Sequence, residues 1–347
     1  MLQEQRKITN RFFAAAAVLA ALAGACACPV LAEEEKVSRE IFAMDTVMTL
    51  TAYGEHAGEG IDAAVDEIAR LDALLSTEKK DSEVARINEG VIGDESLSRD
   101  TAKLLAESLY LYGETDGAFD ITVYPLMQLW GFTDGNYRVP TEEELAETMQ
   151  VVGADGISYD EGTGKAAFGK EGMEIDFGGI AKGYTSGRIM EIFKENGVES
   201  GLVSLGGNVQ TLGRKPDGRN FKIGIQNPDK DSSFLAVIEA ADEAVITSGG
   251  YERYFEEDGV KYHHILDPKT GCPARSGLLS VSIVSPDGLL ADGLSTALFV
   301  MGEEDAVSFW KGHSDSFEMI LYTEDGRLLA TGGLKDRMTS DYEIGWI

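Results

Sequence analysis

The sequence predicts an α+β fold in which mixed or antiparallel sheets pack against helices. The dipeptide Asp258-Gly259 joins two runs that alternate between apolar and polar residues, which is a strong signal for a β-hairpin. A second hairpin is expected around Asp325-Gly326. Helical patterns stand between the strand patterns, but without the strict alternation that a parallel sheet requires. A substantial antiparallel sheet is therefore expected.

Five segments have the pattern of helices. Apolar residues recur at helical spacing in the first two and face one side. The third begins with a proline, a capping hydroxyl and three acids, and the fourth ends at Asn196-Gly197, a typical C-terminal cap. The predicted helices are 59–76, 99–112, one starting at Pro140, 180–195 and 289–301.

Short runs rich in β-branched and aromatic residues lie between these helices and predict strands. Gly-rich turns separate many of them. The predicted strands are 47–53, 155–160, 165–169, 173–177, 201–205, 221–225, 234–240, 244–247 and 278–284.

Composition limits the class of protein. The chain has 347 residues, of which 43% are hydrophobic, so it is long enough to bury a core. Lys and Arg number 30 against 60 Asp and Glu, which gives a net charge of −30. Such a surface has no basic footprint for nucleic acid, and anionic lipid headgroups repel it. Any attachment to a membrane must therefore be apolar or covalent.

The first 32 residues predict a leader for export. Basic residues precede an apolar run over 12–25 that is too short for an ordinary membrane span. Cleavage after Ala32 is one processing route, and lipidation of Cys26 after an approximate lipobox is the other. We expect a single domain over 33–347, located in the periplasm, outside the cell or on the cell envelope as a lipoprotein. Only Cys272 lies in that domain, so no internal disulfide is expected.

One motif is a decoy. Residues 164–170 have the glycine and lysine spacing of a P-loop, but Glu171 stands where a magnesium-binding hydroxyl belongs. A strand-like run follows, where a P-loop needs a helix. We interpret this segment as a hairpin turn.

The segment from Asp176 to Lys182 has the pattern of an anion-binding turn. A strand pattern ends in Asp176, Gly178-Gly179 form a turn, and a helix begins with Lys182 in its first turn. Glycines admit a ligand close to the backbone, and a helix N-terminus attracts negative charge. Taken alone, a tight turn with a surface lysine explains the pattern equally well.

Two further segments combine turns with polar side chains. Gly206-Gly207-Asn208 follows a predicted strand, and its asparagine is suited either to a left-handed turn or to a ligand. His263 and His264 are adjacent on another predicted strand, so they face opposite sides. With four histidines in the chain, this arrangement argues against a zinc site and leaves one imidazole for proton transfer.

Two acidic residues complete the candidate set. Asp292 and Thr296 lie four positions apart on a predicted helix and therefore share a face, which offers the oxygen ligands that Mg²⁺ prefers. Asp120, in the segment 117–122, is placed to accept hydrogen bonds from a ribose or a base. Each pattern alone is also compatible with helix capping or a turn.

Taken together and in this order, the segments resemble the FAD:protein FMN transferase (ApbE) family. The matching stretches cover about residues 40 to 335 and are Met44–Met48, 81–88, Gly117–Asp120, Asp176–Gly183, Gly206–Asn208, Thr247–Gly249, His264–Gly271 and Ala291–Thr296.

The resemblance implies a function. Members of the family bind FAD and Mg²⁺, transfer the FMN half of FAD to a Thr or Ser hydroxyl of a partner protein, and release AMP. The partner would be a flavoprotein subunit or an exported flavin carrier. The family fold is a compact α+β unit related to T-fold enzymes.

The resemblance also implies roles for individual residues. Metal ligands would be the Asp292 and Thr296 side chains and the Ala181 carbonyl. As a hypothesis of mechanism, the catalytic groups are His264, Asp292 and Lys182, with His264 the first candidate for the base and Asp292 the second. Glu78 stands where the family often has a tyrosine that packs against FAD. The predicted FAD-binding residues are Met44, Ala118, Phe119, Asp120, Asp176, Lys182, Gly206, Gly207, Asn208, Ser248, His264 and Ile265.

Two other functions use the same residues. A secreted FAD pyrophosphatase would use water in place of the partner hydroxyl and release FMN and AMP. A flavin-binding lipoprotein would hold FAD without cleaving it. The products separate the three functions.

Overall fold

A computed structural model describes residues 35–91, 95–228 and 233–347. The predicted leader, residues 1–32, lies outside these ranges. The strands are β1 Lys36–Ala43, β2 Thr46–Tyr53, β3 Ile157–Asp160, β4 Lys165–Phe168, β5 Ser200–Leu205, β6 Asn208–Leu212, β7 Phe221–Gln226, β8 Phe234–Ala240, β9 Ala244–Gly249, β10 Tyr254–Glu257, β11 Val260–His263, β12 Leu278–Ser285, β13 Glu318–Thr323, β14 Leu328–Ala330, β15 Met338–Thr339 and β16 Ile344–Trp346.

The helices alternate irregularly with these strands. They are α1 Ala57–Leu75, α2 Glu83–Asn88, α3 Arg99–Glu114, α4 Tyr124–Leu129, α5 Glu142–Thr148, α6 Ala181–Glu195, α7 Gly288–Met301 and α8 Glu303–His313. No helix in the described ranges has the length and apolar character needed to cross a membrane.

A nine-stranded sheet organises the described residues. Its order is β1-β2-β5-β6-β9-β12-β13-β14-β16, and every neighbouring pair is antiparallel except β14 and β16. Smaller sheets are formed by β15-β8-β7, by β10-β11 and by β3-β4. The predicted α+β class with mixed and antiparallel sheets is confirmed.

The two faces of the sheet are covered by different layers. Successive side chains of a strand point to opposite faces: in β9, Val245 joins a cluster with Ile223 of the small sheet, whereas Ile246 joins a cluster with Leu294 of α7. At the β1 end, Ile61 of α1 is buried in the cluster that also covers β2 and β5. The main sheet thus lies between a layer of helices and a second, smaller sheet.

Two tight turns lie side by side at one end of the main sheet. The β1–β2 turn consists of Met44 and Asp45, with φ of 46° and 56°, and the β5–β6 turn consists of Gly206 and Gly207, with φ of 61° and 95°. Two left-handed residues are typical of the type I′ hairpin turn. The Gly206 amide donates to the Val47 carbonyl at 3.1 Å, so the β5–β6 turn is bonded to the start of β2, just after the β1–β2 turn.

Helices α6 and α7 cross at a pair of glycines. A methyl group placed on Gly183 would lie 2.1 Å from the Gly288 carbonyl oxygen, and one placed on Gly288 would lie 2.9 Å from the Gly183 carbonyl oxygen. Because neither residue has a side chain, the two backbones approach more closely than other residues allow. This crossing brings the beginning of α6 against the first half of α7.

The predicted strand 173–177 is wrong. Its sequence alternates like a strand, but the Asn88 side chain donates to the Ile175 carbonyl at 2.9 Å and accepts from the Ile175 amide at 2.8 Å. An asparagine amide therefore takes the place of a neighbouring strand. The 164–170 segment contains β4 and no helix follows it before Ala181, which confirms the rejection of a P-loop.

Candidate active site

Asp292 connects α7 with the start of α6 and with β6 through its side-chain hydrogen bonds. Its side chain is buried on α7, where Oδ2 accepts from the Gly183 amide at 2.7 Å and Oδ1 accepts from the Asn208 side-chain amide at 2.9 Å. Burial raises the pKa of Asp292, while Lys182 and these two donors partly offset the increase. The sequence assigned Asn208 to the cofactor; the structure gives its side chain a hydrogen bond to the predicted metal ligand.

Hydroxyl groups lie one turn further along α7. The Ser248 hydroxyl of β9 is 2.8 Å from the Ser295 hydroxyl and 3.2 Å from the Thr296 hydroxyl. Ser248, a predicted FAD-binding residue, and Thr296, a predicted metal ligand, thus lie in contact with each other. Ser295 also donates to the Asp292 carbonyl at 2.8 Å, so its hydroxyl is held within the same turn.

The beginning of α6 forms the other side of the site. The Ala181 carbonyl accepts a hydrogen bond from the Thr185 hydroxyl at 2.7 Å, and the Lys182 ammonium lies 3.4 Å from the Gly178 carbonyl. Asp176 accepts from the Gly178 amide at 2.9 Å. The predicted turn between Asp176 and Lys182 thus leads into the start of α6. There the charge of Lys182 acts on the carboxylates of Asp176 and Asp292.

A cavity of about 440 Å³ opens beside this helix start. That volume lies within the range of small-molecule sites. Four predicted residues line it, together with the β1–β2 turn and the segment 76–79 that contains Glu78. The predicted residues in its wall are Met44, Asp176, Ala181 and Lys182.

The imidazole of His264 has a defined tautomer. Its backbone amide and Nδ1 lie 3.0 and 3.1 Å from the Arg253 carbonyl. A carbonyl only accepts, so Nδ1 carries the proton and Nε2 keeps its lone pair. Burial, and then the positive charge of Arg253, lower the pKa of His264 to about 3. Its ring is therefore neutral at ordinary pH.

His263 faces a different environment, as the strand pattern predicted. Its Nε2 donates to the Ala274 carbonyl at 3.0 Å, and its ring packs edge-on against Phe299. No cluster of three or more His, Cys, Asp or Glu side chains suited to a metal occurs within residues 35–91, 95–228 and 233–347.

The following predicted residues are not in the wall of this cavity. Both oxygens of Asp120 already accept hydrogen bonds within the chain, from Thr122 and from the Ala154 amide. Phe119 is buried in the core and Ala118 lines a separate cavity of about 510 Å³. Ile265 is also buried. Their contacts with FAD stay predictions.

The oxygen atoms around Asp292 fit a hard divalent cation. Each Asp292 oxygen uses one lone pair for its hydrogen bond and keeps one for a ligand. The carboxylate has no ion-pair partner among the described residues, and burying such a charge without a cation is costly. Carboxylate, hydroxyl and carbonyl oxygens are the ligands that Mg²⁺ prefers.

The low pKa of His264 predicts an effect on acid stability. The unfolded imidazole binds a proton near pH 6.5, whereas the folded one does so only near 3. The native state therefore becomes less stable as the pH falls below about 6.5, because the unfolded chain then binds a proton that the folded chain does not. Urea unfolding of a His264→Gln variant should show a drop between pH 7 and pH 5 that is smaller by about 2 kcal/mol.

The exposed His56 provides the control for this measurement. A His56→Gln variant should follow the wild-type pH dependence. Equal slopes for wild type and His264→Gln would contradict the assignment.

Comparison with known proteins gives the family. The model of the ApbE family matches residues 44–321, which is most of the chain. An FAD:protein FMN transferase of Haemophilus influenzae is 34% identical over 303 residues, covering 85% of this chain and 87% of the relative. One from Treponema pallidum is 31% identical, covering 91% and 92%.

Solved structures give the same result. The ApbE protein of Thermotoga maritima superposes with a TM-score of 0.79 at 34% identity, covering 85% of this chain and 96% of that one. Flavin transferase ApbE from Vibrio cholerae has a TM-score of 0.78 at 29% identity, covering 88% and 99%. The fold and the site thus define an enzyme of the flavin transferase class. The chain belongs to the ApbE family, as the sequence motifs predicted.

Proposed function

We propose that this protein transfers FMN from FAD to a Thr or Ser hydroxyl of a partner protein, with release of AMP and a requirement for Mg²⁺. The observation that carries the proposal is the arrangement of Asp292. This buried carboxylate is fixed by the start of α6 and lies beside a hydroxyl cluster. The same helix start places Lys182 in a cavity of about 440 Å³.

The chain supplies groups for each part of the reaction. Lys182 and the N-terminus of α6 attract the pyrophosphate of FAD. Asp292, Thr296 and the Ala181 carbonyl would hold Mg²⁺, which when bound neutralises phosphate charge. The acceptor oxygen forms a bond to the FMN phosphorus, and the bond from that phosphorus to the oxygen of AMP breaks.

The acceptor hydroxyl must lose its proton in this step. His264 is the candidate base, because its Nδ1 is fixed on the Arg253 carbonyl and its Nε2 carries a lone pair. Its pKa of about 3 makes it a weak base. A bound phosphate beside the ring would stabilise the protonated form and raise that pKa.

Mass spectrometry tests the proposal. Incubation of the protein with FAD, Mg²⁺ and a candidate acceptor should add the mass of FMN to the acceptor and release AMP in equal amount. Chelation of the metal should abolish both products. FAD that stays intact in the presence of Mg²⁺ and acceptor would contradict the proposal and support a flavin-binding protein without catalysis.

A second function is favoured by Glu78. This residue lines the cavity where the family resemblance implies a flavin-stacking tyrosine, and a carboxylate cannot stack. Weaker holding of the flavin would favour attack by water, which makes the protein an FAD pyrophosphatase. Free FMN and AMP without a modified acceptor would indicate this activity.

Export is part of the proposal. The basic residues and apolar run before Ala32 support it, and the acidic remainder of the chain supports an anchor that is covalent rather than electrostatic. Mass analysis of the mature N-terminus would distinguish a lipidated Cys26 from a chain that begins at Glu33.

A further inference from the structure

Arg253 is a cation in the cavity wall that neither the motifs nor the proposed function has used. It lies in the segment that joins β9, which carries Ser248, to β10 of the hairpin that precedes His264. Its side chain lines the cavity, and its Nη2 donates to the carbonyl of Phe132, another residue of the cavity wall. The guanidinium is therefore held at the cavity by a contact that uses only part of its donors.

Arg253 has no ion-pair partner among the described residues of the cavity wall. Seven charged residues line the cavity: the acids Asp45, Asp72, Glu78 and Asp176, and the cations Lys79, Lys182 and Arg253. Lys79 is paired with Asp72 at 2.5 Å. Within the described ranges, neither Lys182 nor Arg253 has a carboxylate oxygen within ion-pair distance, which is 4.0 Å.

An anionic substrate needs such cations. The whole chain carries a net charge of −30, so a pyrophosphate approaches against a repulsive field. Two unpaired cations on one cavity match its two negative charges. Arg also presents a planar fork of donors that suits phosphate oxygens, which a lysine does not.

We infer that Arg253 is a substrate-binding residue whose guanidinium contacts the pyrophosphate of FAD opposite Lys182, while its backbone carbonyl holds His264 in position. This inference rests on the proposed function for its substrate. Arg253 thus has two roles, one for its side chain and one for its backbone carbonyl, and a substitution tests them separately. A substitution of the side chain removes the phosphate contact but keeps the carbonyl that fixes the His264 ring.

The Phe132 contact decides the choice of variants. Arg253→Gln keeps a side-chain donor for the Phe132 carbonyl and removes the charge, whereas Arg253→Lys keeps the charge. Arg219→Gln is the matched control, because Arg219 is 79% exposed and paired with Asp217 on a surface turn. FAD affinity is measured by quenching of flavin fluorescence, without acceptor.

We expect Arg253→Gln to weaken FAD binding at least tenfold, and Arg219→Gln to stay within about threefold of wild type. Arg253→Lys should weaken binding less than Arg253→Gln, because it keeps the charge but loses the planar fork of donors. In transfer assays the loss should appear in KM for FAD more than in kcat. Wild-type affinity in Arg253→Gln, or an Arg253→Lys variant as weak as Arg253→Gln, would overturn the inference. Since binding is measured without acceptor, a failure of transfer would refute the proposed function and leave this result standing.

Discussion

Replacing Asp292 with asparagine should lower FMN transfer by a factor on the order of 10³, the effect expected when a charged group at the reaction centre is removed. The substitution preserves the size of the side chain. Its new amide can keep one hydrogen bond with the Gly183 amide, and the Asn208 side chain can turn over to accept the other. The fold should therefore persist while the negative charge is lost.

Three measurements separate loss of charge from loss of structure. The transfer rate comes from the mass of the acceptor, the folded state from its unfolding curve in urea, and metal binding from the rise in melting temperature that Mg²⁺ produces. Asp292→Asn should lose transfer activity and the rise in melting temperature with Mg²⁺, and should keep the wild-type unfolding curve in urea. Asp66→Asn, at an exposed site on α1, should behave as wild type. Full transfer activity in Asp292→Asn would refute the metal assignment.

Replacing Gly183 with alanine should destabilise the protein by about 3 kcal/mol or more, at the upper end for an overpacked core. The added methyl group would lie 2.1 Å from the Gly288 carbonyl oxygen and 2.5 Å from Cβ of Asp292. Both obstacles belong to the helix backbone or its first side-chain atom, so rotation of a side chain does not relieve them. The crossing of α6 and α7 must open, and Asp292 must move with it.

Gly187 provides a matched control on the same helix. A methyl group there meets no atom within 4 Å, and the residue is in the helix interior. Gly187→Ala should stabilise the protein by about 0.5–1 kcal/mol, because alanine loses less backbone entropy on folding. Urea unfolding of both variants tests the pair. Equal stability of Gly183→Ala and Gly187→Ala would show that the two helices are not in close contact.

The helices were the most predictable part of the fold. Apolar spacing predicted α1 and α3 to within a few residues, because each buries one face. The predicted helices 180–195 and 289–301 also match α6 and α7 to within one residue. The capping box of Thr141 and Glu144 is also local and was anticipated by the acidic first turn of α5. The hairpin at Asp258-Gly259 was predicted from two residues that favour left-handed backbone.

Other elements depend on distant partners. The sequence analysis did not include α8, β1 or β6. The segment 173–177 has the pattern of a strand, but its partner is the Asn88 side chain, 87 residues away. No local pattern contains that information.

The site was predictable as a set of residues and not as a geometry. Asp292, Thr296 and Lys182 came from motifs, and the family resemblance joined them. The hydrogen bond from the Asn208 side chain to Asp292 joins residues 84 positions apart, and no local pattern indicates it. Arg253 belongs to none of the motifs used. The available signal was a cation shortly after Gly249-Gly250, at the end of a strand that carries a candidate ligand.

The turn of Met44 and Asp45 has a strained backbone, because both residues have positive φ. Left-handed backbone costs an L-residue roughly 1–2 kcal/mol, and asparagine followed by glycine would form this turn with less strain. Those residues would leave the cavity without the thioether and the carboxylate that now form its edge. Unfavourable torsion angles at a hairpin can therefore locate a recognition surface even where no signature motif is present.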